Sequence, residues 1–174
     1  VVEGEEMALD TKLLMKLVIE NFPWVIGSQI RFLREPTYSK LDEKRFTQLL
    51  STYIYTTQFI YFILLSDFWE IRKRKKIPTP PNFWKEIWVN QENFAQADYL
   101  ALSATIFQYI QQHQCELFMP ELEDFFIGLR NKEKDLFKAK FFLEKQRANL
   151  GKTIERVDGK CQQIEKELCF LLEK

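Results

Sequence analysis

The side chains able to do chemistry are few in this sequence, and they are scattered. The single histidine, His113, sits among Gln111, Gln112 and Gln114, the setting of a solvated or hydrogen-bonded surface imidazole. Cys115 follows it by two residues, a spacing that splays two helical side chains apart and builds no nucleophile–base pair. With Cys161 and Cys169 it makes an odd set of three without a CxxC, which reads as reduced thiols in a cytoplasmic protein. Carboxylates cluster at Glu121, Glu123 and Asp124, and again at Glu3, Glu5 and Glu6. The first cluster falls where a helix should begin, and acidic residues in a first turn complement the macrodipole without any metal. One histidine and dispersed cysteines do not make a zinc site. Gly151-Lys152-Thr153 has the ending of a phosphate-binding loop but lacks the glycine-rich stretch before it. No GxGxxG, GxSxG or HExxH occurs, so no catalytic set, metal or cofactor is expected.

Two groups of cations are better placed to meet an anion. Arg72, Lys73, Arg74, Lys75 and Lys76 are consecutive, and Phe83, Trp84 and Trp88 follow them. Cations bind phosphates and aromatic rings stack on bases. The bland account is that cations suit a helix C-terminus and that these aromatics recur at core spacing. Arg130 and Asn131 close a stretch carrying Leu122, Phe125, Phe126 and Leu129, where a cation and a residue tolerant of the left-handed conformation also suit a helix end. These seven residues, 72–76 with 130 and 131, are the RNA-binding candidates.

The elements that must position them read as helices. The chain has 174 residues with 46% apolar and 15% aromatic, enough for a bulky core, and only five Gly and six Pro, too few for a turn-rich β fold. Its 25 basic and 25 acidic residues cancel, which does not indicate a globally basic nucleic-acid binder. Residues 8–20 form an amphipathic stretch that Pro23 ends. Residues 24–33 read as a short helix interrupted near Gly27, and 34–37 as a loop. The dominant helix runs over about 42–74, and Phe46 to Ser66 carry no charge. That length could span a bilayer, but Thr47, Gln48, Ser51, Thr52, Thr56, Thr57 and Gln58 load it with polar groups that suit a protein interface better. Residues 77–81 are a stiff proline linker, Asn82 caps a short helix, and further helices follow over 95–115 and from 121.

After residue 129 the chain becomes heavily charged. Leu150, Ile154, Val157, Cys161, Ile164, Leu168 and Leu171 are spaced 4, 3, 4, 3, 4, 3, a heptad seam with Lys160 and Glu165 at its flanks. Two partners would cover it: the chain's own preceding helix in an antiparallel hairpin, or a second copy in a coiled coil. Gly151 and Gly159 weaken the helix by roughly 1 kcal/mol each and favour the first.

The order of these features resembles the HEPN-like helical domains attached to larger prokaryotic signalling and conflict-system proteins. The resemblance rests on Asn21-Phe22-Pro23-Trp24 before a short helix, the long Leu/Tyr/Phe-rich helix, Pro81-Asn82-Phe83-Trp84-Lys85-Glu86-Ile87-Trp88 after a proline linker, and Phe126-Ile127-Gly128-Leu129-Arg130-Asn131 at a helix end. It covers most of residues 10–172. Active members of that family pair an Arg, commonly followed by a polar residue, with a His a few residues later. Arg130 and Asn131 match the start of the motif, but Asp135, Leu136 and Phe137 stand where the histidine should fall. Without an imidazole no group is poised near neutral pH for RNA cleavage. The resemblance therefore implies a degenerate member that serves scaffolding, dimerisation or regulation.

The expectation is a single all-α bundle of five to seven helices with a long central helix and a C-terminal heptad-patterned helix. Residues 1–7 read as a flexible N-terminus or cloning remnant, 8–130 as the bundle core, and 131–174 as charged helices packing on it. The expected function is a non-enzymatic protein-interaction or scaffolding domain, cytoplasmic and part of a larger prokaryotic regulatory or defence protein. Its expected partner is a protein or a second copy in a homodimer, with no membrane and no small-molecule ligand. The alternative is a HEPN-type domain that binds or cleaves RNA.

Overall fold

The computed structural model describes residues 10–79, 81–90, 92–132 and 134–174. The readings for residues 1–7, the carboxylates Glu3, Glu5 and Glu6, the first two residues of the 8–20 stretch and Pro80 lie outside the described residues. Among the described residues the chain is all-helical, with eight α-helices and no strand: α1 (Thr11–Asn21), α2 (Trp24–Leu33), α3 (Glu43–Lys75), α4 (Phe83–Ile87), α5 (Tyr99–Gln112), α6 (Leu122–Arg130), α7 (Asp135–Arg147) and α8 (Val157–Glu173), with a 3-10 turn at Pro36–Tyr38. The count is one above the expected five to seven: the short helix after the proline linker and the charged helices of the tail form as read, the latter divided at Gly151 with φ +76.

The long helix α3 is the axis of the bundle and spans about 50 Å at 1.5 Å per residue. Asp42 caps it, its carboxylate accepting from the Lys44 and Arg45 N–H groups, and Lys76 ends it in the left-handed conformation. Its polar load is absorbed locally. Thr52 and Thr56 hydroxyls donate to the carbonyls of Gln48 and Thr52 at 2.9 and 2.8 Å, which lets three threonines lie buried without unpaired hydroxyls. The helix is long and apolar enough to cross a membrane by length and composition, and α2, α5, α7 and α8 pack on it. Tyr53, Leu64 and Phe68 are fully buried in that packing, and Ile60 is half-buried.

Local chemistry fixes the neighbours. Helix α2 is continuous through Gly27, contrary to the interruption expected there. The glycine admits α1 instead, since a Cβ at that position would lie 3.3 Å from the Ile19 carbonyl oxygen. Asp98 caps α5 by accepting from the Ala101 N–H at 2.9 Å. Asn82 stands at the cap position of α4 but makes no side-chain cap bond. The Tyr109 hydroxyl donates to the Pro78 carbonyl and pins the proline linker to α5.

The heptad seam is shorter than its spacing suggests and is consumed inside the chain. Leu150 and Ile154 lie in the α7–α8 connection, and the helical seam begins at Val157. Cys161, Ile164 and Leu168 are fully buried and Leu171 is 3% exposed, with α8 packed on α7, α3 and α1. The coiled-coil alternative with a second copy is therefore corrected. Glu165 pairs across 2.6 Å with Arg45 of α3 in the same chain. Arg45 also donates to the carbonyls of Leu33 and Tyr38, at 3.1 and 2.7 Å, and so ties α2, the 3-10 turn, α3 and α8 together.

Candidate interaction site

The candidate side chains at the ends of α5 and α6 are engaged by different neighbours. Arg130, at the end of α6, donates to the Gln111 side chain at 3.1 Å and lies 5.1 Å from the centre of the Phe107 ring, stapling α6 to α5. Asn131 caps α6 in an extended conformation rather than the left-handed one. Of the positions where a HEPN histidine would fall, Leu136 packs against Gly128, and Asp135 pairs with Lys138. His113 caps α5, its ring 4.6 Å from that of Tyr109. Arg130 and His113 thus have different partners. Burial pushes the Cys161 thiol up to about 11 and the Cys169 thiol up to about 12, so both are inert at neutral pH.

One buried polar cluster is fully occupied. The Tyr53 hydroxyl donates to Glu144 at 2.7 Å, and Glu144 pairs with Arg147 at 2.8 Å. Arg147 in turn donates to the carbonyls of Ala97 and Gln96 at 2.5 and 2.8 Å. Burial raises the carboxyl of Glu144, and burial together with that carboxylate raises the Tyr53 phenol well above its ordinary range. The arrangement ties α3, α7 and the segment before α5 together in one hydrogen-bonded network.

The basic run lies differently. Trp69 and Trp84 stack with ring centres 4.8 Å apart and planes at 29°. The Arg72 guanidinium sits 5.4 and 5.6 Å from those rings. Lys73, Arg74, Lys75 and Lys76 are exposed, and none of them pairs with a carboxylate among the described residues. Of the three aromatics expected to accompany the run, Phe83 is core, packed on Phe68 and Tyr109. Trp84 is half-buried in the stack, and only Trp88, at 63%, is open. An open groove of about 940 Å³ runs beside the cations, walled by Ser66, Trp69, Lys73, Lys76, Ile77 and Phe118. Phe118 is 79% exposed, and its N–H donates to the Asp67 carboxylate at 2.9 Å.

A second feature was not anticipated. Tyr55, Phe59, Phe62, Ser66 and Trp69 recur at 4, 3, 4, 3 along α3, a heptad stripe on the side opposite its buried face. Tyr55, Phe62 and Trp69 are 45%, 47% and 46% exposed, and Phe59 is half-buried. Phe94, itself partly open, flanks Phe62 at 6.3 Å. The signal was present in the seven-residue spacing of Tyr55, Phe62 and Trp69. It was hidden because Tyr53, Ile60, Leu64 and Phe68 make an equally apolar face, and periodicity cannot say which face the bundle covers.

No protein-family model, no curated protein and no solved structure matches this chain.

Proposed function

We propose that this chain is a non-enzymatic interaction and scaffolding module that associates with a second copy of itself through the uncharged half of the open α3 stripe. The observation that carries this reading is Tyr55 and Phe62 standing close to half exposed, seven residues apart on one helical face, with Phe59 between them. Isolated exposed aromatics need no explanation, whereas a periodic row of them on the longest helix is an unpartnered face. The face is self-complementary in one orientation. Parallel pairing would set two five-cation ends side by side. Antiparallel pairing centred between Tyr55 and Phe62 sets each run opposite residues 41–45 of the second copy, where Asp42 and Glu43 stand, and keeps the two runs apart. The resemblance to HEPN-like domains supports the same role, because a member without its histidine is left with dimerisation or regulation inside a larger protein. The alternative of RNA cleavage is weaker, since Arg130 is engaged by Gln111 and Phe107 and no imidazole stands in its motif.

Light scattering on the eluting protein tests the reading. Tyr55→Glu should convert a dimer into a folded monomer, because the side chain is already exposed. Trp24→Glu, at a site 83% exposed on α2, should leave the dimer intact. Equal dimer loss in both variants would contradict the assignment to α3.

A further inference from the structure

We infer that the groove at the C-terminal end of α3 binds single-stranded nucleic acid, with Trp69 as the stacking platform and Lys73 and Lys76 as the phosphate contacts. This site uses residues other than Tyr55 and Phe62 and stands or falls separately from the dimer.

The first argument is the unspent charge. In a chain of zero net charge, five consecutive cations end α3, and four of them are exposed without an ion pair among the described residues. A helix C-terminus presents only about half an elementary charge of negative dipole, so the run far exceeds what the helix needs. A local positive pole on a neutral protein selects an anionic partner.

The second argument is the platform. Trp84 covers one side of Trp69 and Arg72 sits beside both rings, which fixes the indole in place. Trp69 still keeps 46% of its surface open and lines the groove, and the exposed Phe118 ring lines it too. A preordered aromatic surface next to lysines is what an unpaired base and its phosphates require.

The third argument is the placement of the acids. Asp67 lines the groove near its Ser66 end and Glu70 lines its middle beside Trp69, while Lys73 and Lys76 follow toward the helix end. Carboxylates there would repel a continuous phosphate surface, whether a duplex backbone or a lipid headgroup layer. They tolerate an unpaired base and can accept a hydrogen bond from its freed pairing edge, the ring N3–H in uracil and thymine or the exocyclic amine in the other bases. The polarity of the groove therefore sets base at Trp69 and phosphate at the helix end, and it favours a single strand over duplex or membrane.

Fluorescence anisotropy of the full chain with labelled oligouridine and oligodeoxythymidine of about twenty nucleotides tests this. The expected binding weakens with salt at a log–log slope of about −1.4, the release for two phosphates, and the slope falls toward zero when Lys73→Ala and Lys76→Ala are combined. Trp69→Ala should weaken binding by about tenfold at unchanged slope, the loss of one base–aromatic stack, and Trp69→Phe should restore most of it. Circular dichroism confirms that each variant is folded. Tyr55→Glu, about 21 Å along the helix from Trp69, should leave the affinity in place while it breaks the dimer. The proposal is overturned by any of four results: no binding at low salt, equal affinity for duplex of the same length, binding to phosphatidylserine vesicles but not to oligonucleotide, or a folded Trp69→Ala variant that binds as wild type.

Discussion

Removing the carboxylate of Glu165 should cost the fold about 2–3 kcal/mol, and the size follows from where Arg45 is left. Only 10% of the Arg45 side chain and 21% of the Glu165 side chain reach solvent, and their charged atoms lie 2.6 Å apart. Breaking a fully buried pair by deleting one partner costs about 3–5 kcal/mol, because the other charge stays desolvated and uncompensated. Two features place this pair below that range. Water reaches the partly open Glu165 position, and the Leu33 and Tyr38 carbonyls still accept from the stranded guanidinium. Urea unfolding of Glu165→Ala, followed by far-ultraviolet circular dichroism, measures the loss. The double variant Arg45→Met with Glu165→Leu should recover most of it, since both desolvation penalties leave together. A loss below about 0.5 kcal/mol, the scale of an exposed pair, would mean that α8 does not dock on α3 through this contact. A loss that shrinks with rising protein concentration would restore the intermolecular coiled coil.

Three further outcomes follow from burial. Ile164→Glu places a carboxylate at a fully buried position, so it should unfold the chain outright rather than yield a folded monomer, as read by circular dichroism. At neutral pH a thiol reagent should label Cys115 alone in the native protein and all three cysteines after unfolding, because burial holds Cys161 at about 11 and Cys169 at about 12. The Tyr53 phenol is raised in the fold, so its contribution is fully present below its unfolded value of about 10 and is lost as pH climbs beyond that toward the folded value. The difference spectrum of tyrosinate should accordingly show Tyr53 ionising only with global unfolding, and Tyr53→Phe should flatten the alkaline loss of stability.

The sequence is most informative where a single physical signal dominates. Helix α3 announces itself through an uncharged run, an Asp42 cap and a cationic end, and the structure places its bounds at Glu43 and Lys75. Helix α7 does not. Its buried positions Leu136, Ala139, Leu143 and Gln146 include one alanine and one amide, while Phe137, Phe141 and Phe142 put apolar bulk off that face and blur the period. The heptad spacing was real in α8, yet it could not tell an intramolecular seam from an intermolecular one. That was decided by Arg45, 120 residues away in sequence. The groove was half legible. Its cations are consecutive, but one wall is Phe118, set there by a hydrogen bond to Asp67 across 51 residues that no local pattern encodes. The open stripe was illegible for a simpler reason, that α3 is apolar or aromatic on nearly every side.

Sedimentation equilibrium of the wild type and of Phe62→Glu, from low to high micromolar concentration, tests the central claim most directly. The account predicts a reversible monomer–dimer equilibrium for the wild type and a folded monomer throughout for Phe62→Glu. A wild type that is monomeric across the range, or a folded Phe62→Glu that dimerises as tightly as the wild type, would contradict it.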